Sequence, residues 1–513
     1  MLTASTPALP FAPVLTGWRR LRRACPGLIL FAAILAWTCV ARLPFLHVLH
    51  DDEGFYSAVA SRWLRGEIPY AASFDVKAPG IFAVFAAVQA VFGVSLYVIK
   101  GMEIVFTALG AWGLHHLLRH ASTRAARLAA FLYPLYSLAL MGLAAPCESA
   151  QAAATIWAFV WIAGSDGDRR LRAALLGGLM IGFAVTLKQT AAFEGAGLFG
   201  WMAWRAWRRR EGRALAVFVA AGAAPTLAFA LYFAAAGHLA EAYADTVSLA
   251  FSRSQQWLTL KPVAWYLEMP RRLFALVAAQ APILVLTIGA LLAALRRRRL
   301  EKALSPPLAL HLGLVWYGSA LAGQMVNREP AVQYVMTLIA PGLLLTCLLL
   351  CEGVTFPARR RRLWASVFSL AVAVQPFVDL PKILMTEGAK PDYRGAVLAS
   401  AALKASGVQP GDDVLAPSRG DYIYVMTGAL PQVKYFNAIH LLCDFPTPDS
   451  DPIAADFKLR PQYVALSDPD MAIACGKPSR MRRMQSWLAR DYTVMTTVHG
   501  DWDSFILYRR KTP

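Results

Sequence analysis

Short polar strings interrupt an otherwise apolar chain, and they hold the residue types that acid-base chemistry on a charged substrate requires. The first reads His50-Asp51-Asp52-Glu53-Gly54-Phe55-Tyr56, followed by Gly66-Glu67-Ile68-Pro69-Tyr70 and Phe74-Asp75-Val76-Lys77-Ala78-Pro79. Three consecutive carboxylates repel one another, which raises at least one pKa toward the range a general base needs. The same residues also suit a helix N-terminus, where a side-chain oxygen caps free N–H groups. Lys77 offers a point charge for a phosphate, and equally a side chain that snorkels to a membrane surface. Further on come Glu148 in Pro146-Cys147-Glu148-Ser149, then Lys188-Gln189-Thr190, then Asn327-Arg328-Glu329-Pro330 with Gln333-Tyr334. Each alone reads as a cap or turn; their convergence on one face of the molecule is the informative feature.

The elements that must position these strings are membrane helices. Of 513 residues, 57% are hydrophobic and 16% charged, against about 45–50% and about 25% in soluble proteins, so the chain reads as a polytopic membrane protein. The net charge of +19 does not point to nucleic acid, because nearly half of the 51 Lys and Arg residues sit in short runs between apolar segments. Such runs orient helices. They fall at 19–23, 119–127, 169–172, 205–213, 296–302 and 359–362. A first apolar run, Gly27 to Leu46, follows Arg19, Arg20, Arg22 and Arg23 and carries no cleavage site. Further runs near the spanning length of about 20 residues lie near 97–118, 126–145, 149–164, 173–190, 191–205, 214–236, 273–295, 307–325, 334–352 and 363–380.

If every basic run faces the cytoplasm, successive runs must enclose an even number of crossings. The short apolar segment Pro79 to Gly93 then lies along the outer interface rather than crossing. Eleven spans remain. The expected organisation is a cytoplasmic segment 1–26, a transmembrane domain 27–380 with its first outer loop at 47–96, and an extracytoplasmic tail 381–513. In the tail, Asp412 to Pro417, Tyr463 to Ser467 and Ser504 to Tyr508 are strand candidates, while Tyr393 to Ser406 and Arg480 to Ala489 are amphipathic helices. A small α/β domain is expected there. The seven cysteines show no CxxC or metal-ligand spacing, and only Cys443 and Cys475, both in the tail, are placed to form a pair. No P-loop, GxGxxG or GxSxG string occurs, so ATP-driven transport, dinucleotide binding and α/β-hydrolase chemistry lack support.

The first-loop string DDEGFYSAVASRWLRGEIPYAASFDVKAPG resembles the signature of polyprenyl-phosphate-sugar-dependent glycosyltransferases of the GT-C superfamily, in the protein O-mannosyltransferase and aminoarabinose transferase group (glycosyltransferase family 39 type). The matching positions are Asp52 and Glu53, Tyr56, Gly66 with Pro69 and Tyr70, and Phe74, Asp75, Lys77 and Pro79. The resemblance extends to Pro146 and Glu148, to Lys188-Gln189, and to Tyr334 and Pro341. Where the group often has His before this last Tyr, the chain has Gln333. The resemblance implies a GT-C fold in the bacterial cytoplasmic (inner) membrane. It also implies inverting transfer of a sugar from a polyprenyl-phosphate donor, undecaprenyl phosphate in a bacterium, to an acceptor hydroxyl on a lipid, glycan or protein. Asp52 would be the general base, with Glu53 and Asp51 orienting the acceptor. Lys77, then Lys188 and Arg328, would neutralise the leaving phosphate, and Tyr56, Asp75, Glu148 and Tyr334 would line the pocket. No cofactor is certain; clustered carboxylates such as Asp52 and Glu53 could hold Mg²⁺ or Mn²⁺. A transporter or flippase of lipid-linked saccharides is the main alternative, although no internal repeat is visible and the polar residues gather at outer span ends rather than the midplane. A scaffold whose tail binds a partner is another.

Overall fold

The computed structural model describes residues 26–49, 51–139, 146–164, 169–209, 212–252, 310–326, 336–352, 369–377, 394–417, 421–442, 447–467, 478–500 and 504–511, and a few isolated positions including Tyr334. The first helix, α1 (Pro26–Arg42), is followed by α2 (Asp51–Leu64) and α3 (Pro79–Phe92) in the first loop. Then come α4 (Leu96–Leu118), α5 (Thr123–Ala139), α6 (Pro146–Ala163), α7 (Arg170–Leu187), α8 (Ala191–Arg209) and α9 (Gly212–Ala235). A short α10 (Leu239–Tyr243) runs into a wider turn over Ala244–Leu249, and α11 (Leu310–Val326) and α12 (Met336–Glu352) follow.

Local chemistry explains several boundaries. Pro79 starts α3 because its missing N–H is one that a first turn leaves unpaired anyway. Gly93 ends that helix at φ +75°, donating its N–H back to Gln89 O, in the left-handed region that glycine tolerates. Ser95 then caps α4 by accepting the N–H of Tyr97. Between α7 and α9, Gly178 and Gly182 bring the two backbones together. A Cβ at Gly178 would stand 2.5 Å from Phe218 O, and one at Gly182 would strike Gly222 O. Small residues four apart permit this approach where lipid supplies no hydrophobic drive.

Among the described residues, four helices are long and apolar enough to cross a membrane: Pro26–Phe45, Leu96–Leu118, Arg170–Leu187 and Gly212–Ala235. Pro79–Phe92 and Met336–Leu348 are shorter apolar helices. Apart from Val285 and Ile288, the expected span at 273–295 lies outside the described residues, as does the Cys443–Cys475 pairing. The helical core joins Leu114, Tyr133, Phe159, Trp316 and Ile339, with the Phe159 and Trp316 rings stacked at 4.2 Å.

The C-terminal part contains α13 (Arg394–Ala405), β1 (Val414–Leu415), α14 (Asp421–Thr427), α15 (Ala438–Leu442), α16 (Pro452–Lys458), β2 (Tyr463–Ser467), α17 (Pro478–Asp491), β3 (Tyr492–His499) and β4 (Ser504–Arg510). Its four strands lie in the order β1-β2-β4-β3. Val414 pairs with Tyr463 in parallel, and Val464 pairs with Tyr508 antiparallel. The β3/β4 ladder shifts register between Val494 and Thr496. This sheet does not have a core of its own. Phe55, Phe74, Phe82 and Phe85 from the first loop share one buried cluster with Tyr424, Phe436, Val464 and Phe505 from the tail. Hydrogen bonds follow the same seam: Tyr422 Oη donates to His47 O at 2.6 Å and accepts from Leu49 N at 2.9 Å. Phe74 N donates to Lys434 O, and Arg62 Nη1 donates to Val433 O. The tail therefore clamps the loop that carries the acidic string.

Candidate active site

The first loop folds so that two of its charged residues meet. Asp52, in the first turn of α2, accepts the Lys77 ammonium at 3.5 Å, and both side chains remain partly accessible, at 36% and 19%. The Gly66 to Tyr70 turn sets this distance. Gly66 takes φ +92° and Tyr70 φ +70°, a left-handed conformation that is uncommon for a bulky side chain. It is held by the Tyr70 N–H on Ser73 O and by the Tyr70 hydroxyl, which donates to Lys77 O at 2.8 Å. Asp75 closes the turn from the other side. Its carboxylate, 4% exposed, accepts the N–H groups of Val76 at 2.7 Å and Lys77 at 3.4 Å.

Tyr56, one turn after Asp52, packs edge-on against Phe82 and Phe85 with the Lys77 ammonium 5.6 Å from its ring centre. Burial, reinforced by the Asp52 carboxylate, holds its phenol well above the ordinary value. Burial alone would lower the Lys77 ammonium, but Asp52, Tyr56 and Tyr334 outweigh it and keep the group charged well above its ordinary value. Cys147, at the start of α6, also bears on Lys77. The starts of α6 and the end of α7 bring in a second cation. Lys188 Nζ lies 2.5 Å from Glu148 Oε1 and 3.4 Å from the centre of the Tyr334 ring. Gln189 ties this corner to the loop by donating to Val76 O and Thr246 O, each at 3.2 Å.

Asp52, Tyr56, Lys77, Glu148, Lys188 and Tyr334, predicted separately from the sequence, thus form one constellation at one set of helix ends. Asp51 is the first residue of α2, and Arg328 lies outside the described residues. Glu53, expected beside Asp52 at the reacting centre, is instead turned into the protein. It is fully buried, with Lys100 Nζ 2.5 Å from its Oε1. The reason is helical: adjacent residues of α2 point about 100° apart, so the two carboxylates take separate ammonium partners. As a donor set they do not fit a shared divalent ion, and no cluster of three metal-ligating side chains occurs among the described residues.

Sequence reasoning missed Lys100 and Glu103, although charges inside the apolar α4 run were a readable signal. It also missed Glu194 in α8, which accepts from Trp316, Gln151 and Thr155 while only 2% exposed. Asp245, near Asp75 and Lys434, is pushed by burial up to about 7 despite the Lys434 ammonium.

Neither a protein-family model nor a curated protein matches the sequence. Among solved structures, ArnT from Cupriavidus metallidurans bound to undecaprenyl phosphate aligns with TM-score 0.60 and 14% identity, covering 94% of this chain and 98% of that one. The apo state of the same protein aligns with TM-score 0.61 and 13% identity, covering 96% and 98%. At such identities the likeness is one of fold: the chain shares the fold of these ArnT structures.

Proposed function

We propose that the protein is a membrane glycosyltransferase that moves a sugar from a polyprenyl-phosphate carrier to an acceptor hydroxyl at the outer membrane face, with inversion at the anomeric carbon. The observation that carries the reading is the accessible Asp52 carboxylate held 3.5 Å from the Lys77 ammonium, with the Lys188–Glu148–Tyr334 corner behind it. The fold shared with a structure bound to undecaprenyl phosphate supports that carrier class.

The roles follow from charge. A phosphate brings negative charge to Lys77 and competes with Asp52 for its ammonium. Asp52 then accepts the acceptor's hydroxyl proton as the new oxygen–carbon bond forms. The bond between the anomeric carbon and the phosphate oxygen breaks with its electron pair on that oxygen, and the polyprenyl phosphate leaves with its charge offset by Lys77 and Lys188. Tyr70 and Asp75 position Lys77 through its main chain. Tyr56 and Tyr334 place aromatic faces against the two ammonium groups.

The test is to incubate the purified protein with an undecaprenyl-phosphate sugar and a membrane extract as acceptor source. Free undecaprenyl phosphate and a glycosylated product of opposite anomeric configuration are expected. Movement of intact donor across a vesicle bilayer, with no cleavage, would instead establish a flippase.

A further inference from the structure

A cavity of about 530 Å³ opens on the face of α2 away from Asp52, between the first loop and the tail. Ser57, Ser61 and Arg65 recur every four residues along that face. At about 100° per residue, Ser61 stands about 180° around the helix from Asp52 and about 140° from Tyr56, so this cavity is separate from the Asp52–Lys77 pair.

Its chemistry is that of an anion site. Among the described residues no Asp or Glu lines it, and its cations are Arg65 from α2 and Lys404 from α13. Neither forms an ion pair among the described residues. The Arg65 guanidinium is seated over the tail's Gly411, where an added Cβ would come within 2.8 Å of Nη1. The floor is polar and ordered by Gln89, only 6% exposed. Its amide nitrogen donates to Ser57 Oγ at 2.8 Å and its oxygen accepts from Ser61 Oγ at 3.0 Å. Ser57 Oγ, in a residue only 1% exposed, therefore accepts within the wall. The rim is apolar and exposed: Leu64 at 50% and Val94 at 41% line the cavity, and Phe92, two residues before Val94 at the end of α3, is 71% exposed.

Cations inside and exposed apolar side chains at the lip match an amphiphile better than a free anion. We propose that this cavity binds the phosphate-bearing headgroup of a membrane amphiphile, with Arg65 and Lys404 on the phosphate, the Ser57–Gln89–Ser61 wall beside the headgroup, and the acyl chains along α3. The proposal stands independently of sugar transfer.

Native mass spectrometry of the full chain tests it, using phosphatidylglycerol, phosphatidylcholine and glycerol 1-phosphate as probes. One phosphatidylglycerol should be retained, about tenfold more tightly than phosphatidylcholine, and Arg65→Gln with Lys404→Gln should erase that preference. Gly411→Ala, which dislodges Arg65 and leaves both charges in place, should weaken binding by a smaller factor. Undiminished phosphatidylglycerol binding by the double variant overturns the proposal. So does full displacement of the lipid by millimolar glycerol 1-phosphate, which would assign the cavity to soluble phosphate esters.

Discussion

Lys100 Nζ lies 2.5 Å from Glu53 Oε1 and 3.3 Å from Glu103 Oε2, and none of the three side chains is more than 3% exposed. This triad pins α2 of the first loop to the membrane helix α4. Removing the ammonium strips Glu53 and Glu103 of their nearest cation, and breaking a buried pair in this way costs about 3–5 kcal/mol. Lys100→Met should therefore lower the unfolding temperature in detergent strongly. Combining it with Glu53→Gln should recover part of the loss, because one stranded charge is removed as well.

Tyr70 acts on the site through one bond, from its hydroxyl to Lys77 O. Tyr70→Phe keeps the ring against Phe82 and Phe233 and removes only that bond. A neutral hydrogen bond contributes about 1 kcal/mol, so transfer should slow about fivefold with little change in folding. Steady-state kinetics beside a melting curve separate the two effects.

Lys188 and Lys77 differ in what holds them. Lys188 is clasped by buried Glu148, whereas Lys77 meets the partly exposed Asp52. Lys77→Gln should lower turnover by about 10²–10³, as loss of one stabilising group at a developing charge does. Lys188→Gln should reduce both turnover and stability, since it strands Glu148. Glu148→Gln with Lys188→Gln should restore stability without restoring turnover, which rate and melting measurements on the same preparations would show.

Much of this arrangement was legible locally. Helix α3 was readable because Pro79 and Gly93 punctuate both its ends, and β2 because Tyr463 to Ser467 is an unbroken buried strand. Strand β3 was not, because five of its eight residues are exposed and its apolar Val494, Met495 and Val498 do not alternate with the polar ones. The partners of Glu53 and of the first loop were illegible for another reason. Lys100 is 47 residues from Glu53, and the Tyr422 hydroxyl is 373 residues from Leu49. Sequence periodicity carries no information on which distant charge or hydroxyl will close a buried bond.

The tail should respond to pH through Asp456. Its Oδ1 accepts the N–H groups of Tyr435 at 3.1 Å and Lys434 at 3.2 Å, while Oδ2 is buried with no partner among the described residues. Burial, opposed by those two N–H groups and by Arg62, pushes the carboxyl up to about 7. The folded state therefore binds a proton that the unfolded chain releases near pH 4. Stability should be greatest below about pH 4, fall as pH rises to about 7, and level off above. Asp456→Asn keeps an acceptor for both N–H groups and cannot ionise, so its denaturation midpoint should lose that slope.

The central claim is that Asp52 takes the acceptor's proton. Asp52→Asn preserves shape but cannot accept a proton, and it removes the carboxylate that competes with a phosphate for Lys77. The decisive measurement is single-turnover release of undecaprenyl phosphate from donor-loaded enzyme, wild type against Asp52→Asn, with donor binding measured on the same samples. Transfer should fall by about 10²–10⁴ while donor binding is kept or tightened. An Asp52→Asn enzyme that binds donor and transfers sugar at the wild-type rate would contradict the account.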